Sequence, residues 1–237
     1  MVIYMSERIS SGIPGLDEMM NGGFPKGSVI VLLGSCGTGK TTFSLQFLMN
    51  GLMRKENCML ITLEESVDSI VKNGQTFGWD IETYLKNKQL SILKVEPTDV
   101  KTAIQKIKTD LPEVLKERKI ERFALDSISL FTMLFESDFD RRQNLFRLVQ
   151  IIKSANVTAL FTSEVNPLNP GLSRDGLVEY VADGVISLEL VQPSLHSLDV
   201  EPRLRIIKMR GTAHERKVKP YTITSKGIDV RIKAQVF

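Results

Sequence analysis

Short apolar runs alternate with longer stretches of helical spacing along most of the chain. The runs occupy 28–33, 59–63, 90–95, 123–125, 158–161 and 184–190, are rich in Val, Ile, Leu and Phe, and end in polar turns. They read as strands. Between them, Phe43, Phe47 and Leu48 share one face of a predicted helix, and Val67, Ile70, Val71 and Phe77 share one face of a second that Gly78 ends. Ala103, Ile104, Ile107, Leu111, Val114 and Leu115 predict a third, kinked at Pro112, and Leu145, Leu148, Val149 and Ile152 a fourth.

Strands alternating with helices predict an α/β fold with a mostly parallel sheet flanked by helices on both faces. The tail has a different rhythm. From 184 to 236 strand follows turn, with Pro193, Gly211, Pro220 and Gly227 as punctuation and no helical period. Antiparallel strands extending the same sheet are expected there. No linker composition interrupts the 237 residues, so 1–237 is expected to form a single domain.

Composition narrows the function only slightly. Hydrophobic residues make up 42% and charged residues 25%, ordinary for a globular protein, and a net charge of +3 is too small to mark a nucleic-acid surface. The two cysteines, Cys36 and Cys58, form no CxxC or Cys/His cluster, which excludes a readable zinc site or disulfide framework and points to a reducing, cytoplasmic setting. The first ten residues do not read as a signal peptide. The longest apolar run, 29–33, is far too short to span a bilayer, so a soluble protein with no membrane partner is expected.

The chemistry begins at Gly34-Ser35-Cys36-Gly37-Thr38-Gly39-Lys40-Thr41, an ungapped GxxxxGK[ST]. Its glycines let successive backbone amides point inward around phosphate oxygens, and the helix that follows adds its free N-terminal amides and positive dipole end. Lys40 supplies a point charge between the β- and γ-phosphates, the Thr41 hydroxyl ligates magnesium, and Thr42 reaches toward the α-phosphate. The match follows an apolar strand and opens an amphipathic helix, as the motif requires. Ser35, Cys36, Gly37, Thr38, Gly39, Lys40, Thr41 and Thr42 are therefore the expected nucleotide contacts, with ATP and Mg2+ as the cofactors.

Two acidic positions complete this reading. Asp126 ends the run 123–125, where an aspartate supports the metal's outer ligands, although an aspartate ending a strand is often only a turn residue. Glu64 and Glu65 end the run 59–63, and ligands of open α/β sheets bind outside the carboxyl ends of strands. Glu64 is the expected base for the attacking water, with Glu65 as its support. Glu65 and Asp68 also suit the start of the next helix, with Ser66 as its cap.

With these residues in hand, the chain resembles the KaiC/RadA-type branch of RecA-fold ATPases, and most nearly its single-domain KaiC-like proteins. The likeness covers nearly the whole chain. The segments 8–17 and 22–27 resemble the family's lead-in to the phosphate loop, and Glu64-Glu65-Ser66 with Phe77-Gly78-Trp79 its segment after the second strand. Lys208-Met209-Arg210-Gly211-Thr212-Ala213-His214 resembles the family segment that reaches across a subunit boundary to the neighbour's nucleotide. The resemblance implies a RecA-like core in a homo-oligomer, a hexameric ring, with ATP between subunits. It implies nucleotide contacts in trans from Lys208, Arg210, Thr212 and His214, with Arg210 neutralising charge on the transferred phosphoryl group. Alternation on a strand would put Lys208 and Arg210 on one face, with Thr212 and His214 continuing the parity. Without the family, alternating basic residues on an edge strand serve to discourage aggregation. Thr162, Ser163 and Glu164 end the strand of the run 158–161, where RecA-like proteins often carry a γ-phosphate sensor. Any of the three could fill that role, or Thr162 and Ser163 could simply satisfy strand-end backbone groups.

The chain also departs from the family. The clock protein KaiC carries two such domains in tandem and this chain spans one. Where the second of them has a Ser-Thr phosphorylation pair, this chain has Glu179-Tyr180, so autokinase activity at that pair does not follow. The leading expectation is an ATPase that couples slow hydrolysis to ring conformation and an unidentified protein partner. A recombination or helicase ATPase is the alternative. Its DNA-gripping loops would be 131–142, where Phe131, Phe135, Phe139, Arg141 and Arg142 mix with Glu136, Asp138 and Asp140, and 166–176, where Arg174 is the sole basic residue. A third reading is a protein that binds ATP for assembly with little turnover.

Overall fold

After a short antiparallel pair, β1 (Arg8–Ile9) and β2 (Phe24–Pro25), six of the apolar segments pair side by side as parallel strands: β3 (Val29–Gly34), β4 (Asn57–Thr62), β5 (Leu90–Lys94), β6 (Ile120–Asp126), β7 (Thr158–Ser163) and β10 (Gly184–Val191). The computed structural model describes residues 7–95, 105, 109–192 and 199–234. Every residue of β3 and β7 is buried, as expected of central parallel strands covered on both faces. The tail adds β11 (Glu201–Met209), β12 (Lys219–Thr224) and β13 (Gly227–Val230), all antiparallel. The sheet order is β13-β12-β11-β10-β3-β7-β6-β4-β5. The expected α/β architecture, with antiparallel C-terminal strands extending the sheet, is present. Pro193 and Val236 lie outside the described residues.

Helices cover both faces. On one, α1 (Lys40–Met53), α2 (Val67–Thr76) and α3 (Ile81–Lys86) lie beside the lead-in segment and the β12–β13 hairpin, with Phe24, Phe43, Phe47, Ile70 and Tyr221 in a shared core. On the other, α4 (Leu111–Glu117), α5 (Ile128–Met133) and α6 (Asp138–Ser154) bury Leu111, Phe131, Leu145, Leu148 and Ile152 against Phe123 and Phe161. Of the expected third helix, Ala103, Ile104 and Ile107 lie outside the described residues. Leu111, Val114 and Leu115 fall in α4, with Pro112 in its first turn, directly after the π-helical residues Thr109 and Asp110.

Arg122 ties these parts together. Its side chain is 1% exposed and ion-paired to Glu56, and it donates to the carbonyls of Ser10 at 2.8 Å and Phe47 at 2.9 Å. One buried cation thereby fixes the lead-in and α1 to β6, with its charge and donors satisfied, as burial demands.

The register aligns the carboxyl ends of four central strands. Leu33 pairs with Ser163, and Thr62 pairs with Asp126. The loop after Gly34, the acidic pair after Thr62, Asp126 and the 162–164 segment therefore meet at one edge of the sheet. That is where open α/β sheets present their sites.

Candidate functional site

The loop 34–41 bends over the end of β3 into the start of α1. Gly37 and Gly39 hold φ of 80° and 83°, a region that suits glycine. A Cβ at Gly34 would stand 2.4 Å from the Thr38 hydroxyl, so the loop closes too tightly for any side chain there. Inside the turn, Thr38 donates to the Ser35 carbonyl at 2.8 Å, and the Lys40 ammonium lies across the carbonyls of Gly34 and Ser35, each at 2.9 Å. Ser35, Cys36 and Gly37 are exposed, while Gly39, Thr41 and Thr42 are half-buried. The result is a concave, amide-lined turn with one cation at its mouth, able to hold a polyphosphate.

Beside it, the Thr41 hydroxyl donates to Asp126 Oδ2 at 2.6 Å, and Thr162 donates to the other oxygen of the same carboxylate. Asp126 is 4% exposed, so β6 and β7 supply a largely buried carboxylate whose outer oxygen meets the phosphate loop. A hydroxyl and a carboxylate are the hard oxygen donors that magnesium takes when it arrives with a nucleotide. Among the described residues no group of three or more His, Cys, Asp or Glu could hold a metal without one. Of the three candidate sensors, Thr162 touches Asp126. Ser163 shares a hydroxyl contact of 3.1 Å with Ser129, and Glu164 pairs with Arg174 at 3.3 Å.

The two glutamates separate in role by geometry. Thr62 receives the amides of Glu64 and Glu65 at 3.3 and 3.1 Å, which shapes the turn after β4. Glu65 then accepts hydrogen bonds from Ser69 at 2.6 Å and Asn73 at 2.7 Å on α2. Ser66 caps that helix through the Ser69 amide. Glu64 is exposed at the sheet edge. Glu65 is thus committed to its own helix, whereas Glu64 is solvent-exposed.

The Lys208–His214 segment lies elsewhere. Lys208 gives its ammonium to the carbonyls of Glu179 at 2.8 Å and Ala182 at 2.7 Å, and burial with the nearby charge of Arg210 pulls its pKa below the lysine range. The strand ends at Met209, and Gly211 at φ 62° turns the chain, so the expected alternation stops short of Arg210. Arg210 nevertheless reaches the same segment as Lys208, donating to the Tyr180 carbonyl at 3.1 Å. Thr212 accepts from Arg8 at 2.8 Å. His214 Nδ1 lies 3.2 Å from the Thr212 carbonyl, while its buried Nε2 has no partner among the described residues. None of these four groups meets the phosphate loop of its own chain.

Three contacts carry no local signal in the sequence. Tyr221 on β12 donates to the Thr38 carbonyl at 2.7 Å, Gln46 on α1 binds the backbone of Gly12 and Ile228, and Asp183 joins Lys153 to Arg210. Each joins positions distant in sequence. The Glu179 carboxylate accepts from the backbone and hydroxyl of Ser173, so it holds the hairpin of β8 (Val165–Asn166) and β9 (Asn169–Ser173). In the expected gripping loop, Phe131 and Phe135 are buried core rings and Arg141 turns back to Asp138 at 2.9 Å. These three residues serve the fold, whereas Phe139 and Arg142 of the same stretch are exposed.

Comparison with known proteins agrees with this fold. Residues 9–235 match the family model described as "ATPase: KaiC". A UPF0273 protein of Thermotoga maritima is 34% identical over 239 residues, spanning 94% of this chain and 96% of its own. The circadian clock oscillator protein KaiC of Parathermosynechococcus lividus is 32% identical over 93% of this chain, which spans only 41% of that protein's length. The crystal structure of a KaiC-like protein from the archaeon Pyrococcus horikoshii superposes with a TM-score of 0.83 at 35% identity, covering 95% of this chain and 99% of that one. No helix among the described residues is long and apolar enough to cross a membrane.

Proposed function

Because this chain belongs to the KaiC ATPase family, we propose that it binds Mg-ATP at Gly34–Thr41 and hydrolyses it in a ring whose copies complete one another's sites. The observation that carries the composite site is a strand register. Leu188 of β10 pairs with Gly34, whereas Gly184 pairs with both Ile30 and Met209. At ~3.3 Å per residue, the basic segment leaves the sheet roughly 13 Å along the strands from its own phosphate loop. Arg210 then continues away from that loop. A catalytic role for it requires a second copy.

In this reading the loop amides and Lys40 hold the phosphates, and Thr41 and Asp126 hold the magnesium and its water shell. The metal supplies charge neutralisation on the phosphate oxygens. Glu64 orients the attacking water and accepts its proton, while Glu65 holds the turn that carries Glu64. Arg210 approaches the γ-phosphate from the neighbour, with Lys208, Thr212 and His214 contributing contacts on the same nucleotide. Catalysis here is positioning with electrostatic stabilisation, as phosphoryl transfer requires. The hydrolytic cycle would drive ring conformation read by a protein partner in the cytoplasm, all within one domain, 1–237.

The test is phosphate release by purified protein, together with mass measurement with and without ATP. Wild type is expected to release phosphate and to gain mass toward a hexamer with ATP. Lys40→Ala is expected to lose the activity, and retention of hydrolysis by that variant would assign it to another protein or site.

A further inference from the structure

We propose that Asp183 is a positioning residue that aims Arg210 at the neighbouring copy, an inference that rests on the composite-site reading above. Asp183 precedes β10, just after α7 (Val178–Val181). Its carbonyl accepts the Arg210 amide at 2.8 Å, and its Oδ1 lies 3.5 Å from the Arg210 guanidinium. The other fork of that guanidinium reaches the Tyr180 carbonyl at 3.1 Å. Arg210 is thus held by backbone and side chain against one short segment, 180–183. Its side chain is still 53% exposed, so the remaining N–H donors of its planar fork point outward.

Asp183 is held independently of Arg210. Oδ2 accepts the Val29 amide at 3.0 Å, and Oδ1 takes the Lys153 ammonium at 2.7 Å. The platform therefore persists when Arg210 reaches for a ligand. Lys208 is anchored on the same stretch through the carbonyls of Glu179 and Ala182. Val29 opens β3, which runs directly into Gly34. One carboxylate accordingly touches both the strand that carries a copy's own phosphate loop and the arginine that the copy offers to its neighbour. A shift of β3 on nucleotide binding would be passed to Arg210 through this single residue, by its backbone as well as its carboxylate.

Asparagine at 183 keeps an acceptor for the Val29 amide but removes the charge that orients the guanidinium. Asp183→Asn is expected to lower kcat by roughly 10- to 100-fold with KM within about twofold, the signature of a misplaced group acting in the transition state. Mixing supplies the readout that a purely structural role would not move. In mixed rings, the intact loops of Asp183→Asn copies face the well-aimed arginines of Lys40→Ala copies, so activity returns. Wild-type kcat in Asp183→Asn overturns the proposal, as does a loss that mixing fails to rescue while the same mixing rescues Arg210→Ala. If Arg210→Ala itself keeps full turnover, the composite-site reading falls first, and the two failures are told apart. Should Asp183→Asn not fold, Asp183→Glu, whose carboxylate is displaced by one methylene, carries the same kcat and mixing expectations and the same overturning results.

Discussion

Tyr221 donates its hydroxyl to the carbonyl of Thr38 at 2.7 Å, which fastens the C-terminal hairpin to the phosphate loop across 183 positions of sequence. The tyrosine is 1% exposed, and burial raises its pKa far above the phenol range, so the hydroxyl stays protonated and donates at any physiological pH. The hairpin is therefore part of the loop's support. Tyr221→Phe leaves the Thr38 carbonyl buried without that donor and is expected to cost about 1–2 kcal/mol of stability. Thermal unfolding measures that cost, and titration with a fluorescent ATP analogue is expected to show weaker binding. Unchanged values for both would separate the hairpin from the loop.

The Thr41–Asp126 contact at 2.6 Å predicts how the protein depends on metal. Asp126→Asn is expected to raise the magnesium concentration for half-maximal hydrolysis by about tenfold, since second-shell partners contribute about 10- to 100-fold to metal affinity. A chelator is expected to stop hydrolysis by wild type. Equal magnesium curves for the two proteins would remove Asp126 from the metal's surroundings.

The two glutamates are expected to respond differently to the same substitution. Glu64→Gln should lower turnover by roughly 100- to 10,000-fold while nucleotide binding persists, the range for loss of a general base. Glu65→Gln disturbs the bonds from Ser69 and Asn73 and is expected to lower stability more than it lowers turnover. Single-turnover hydrolysis and thermal unfolding on both variants decide the matter. A larger turnover loss in Glu65→Gln would exchange their roles.

Lys208 predicts a pH dependence of stability. Burial first, and then the charge of Arg210, holds its folded pKa below the ordinary 10.5. Between that depressed value and 10.5 the unfolded chain binds more protons than the folded one, so this group's contribution makes stability rise with pH. Subtracting the stability curve of Lys208→Met from that of wild type is expected to leave an upward slope over this alkaline window. A flat or falling difference would mean the ammonium is not confined as described.

How much of this was legible in the sequence depends on the range of each contact. The phosphate loop was legible because eight consecutive residues carry its whole chemistry, and Asp126 because an apolar run delivers it to the sheet edge. The parallel core followed from the alternation of runs and helical spacing. The end of β11 at Met209 was signalled by Gly211, yet a period of two carried the reading past it. Tyr221, Arg122 and Asp183 act on residues that only the assembled sheet brings near, and no local pattern marks such pairs.

The central claim is that a working site needs two copies, and subunit mixing tests it most directly. Lys40→Ala lacks the loop cation but offers an intact Arg210, and Arg210→Ala lacks the arginine but offers an intact loop. Each alone is expected to be inactive, and an equal mixture, exchanged and reassembled with ATP, is expected to regain a fraction of wild-type phosphate release. A mixture as inactive as its parts, or an Arg210→Ala protein that hydrolyses ATP unaided, would contradict it.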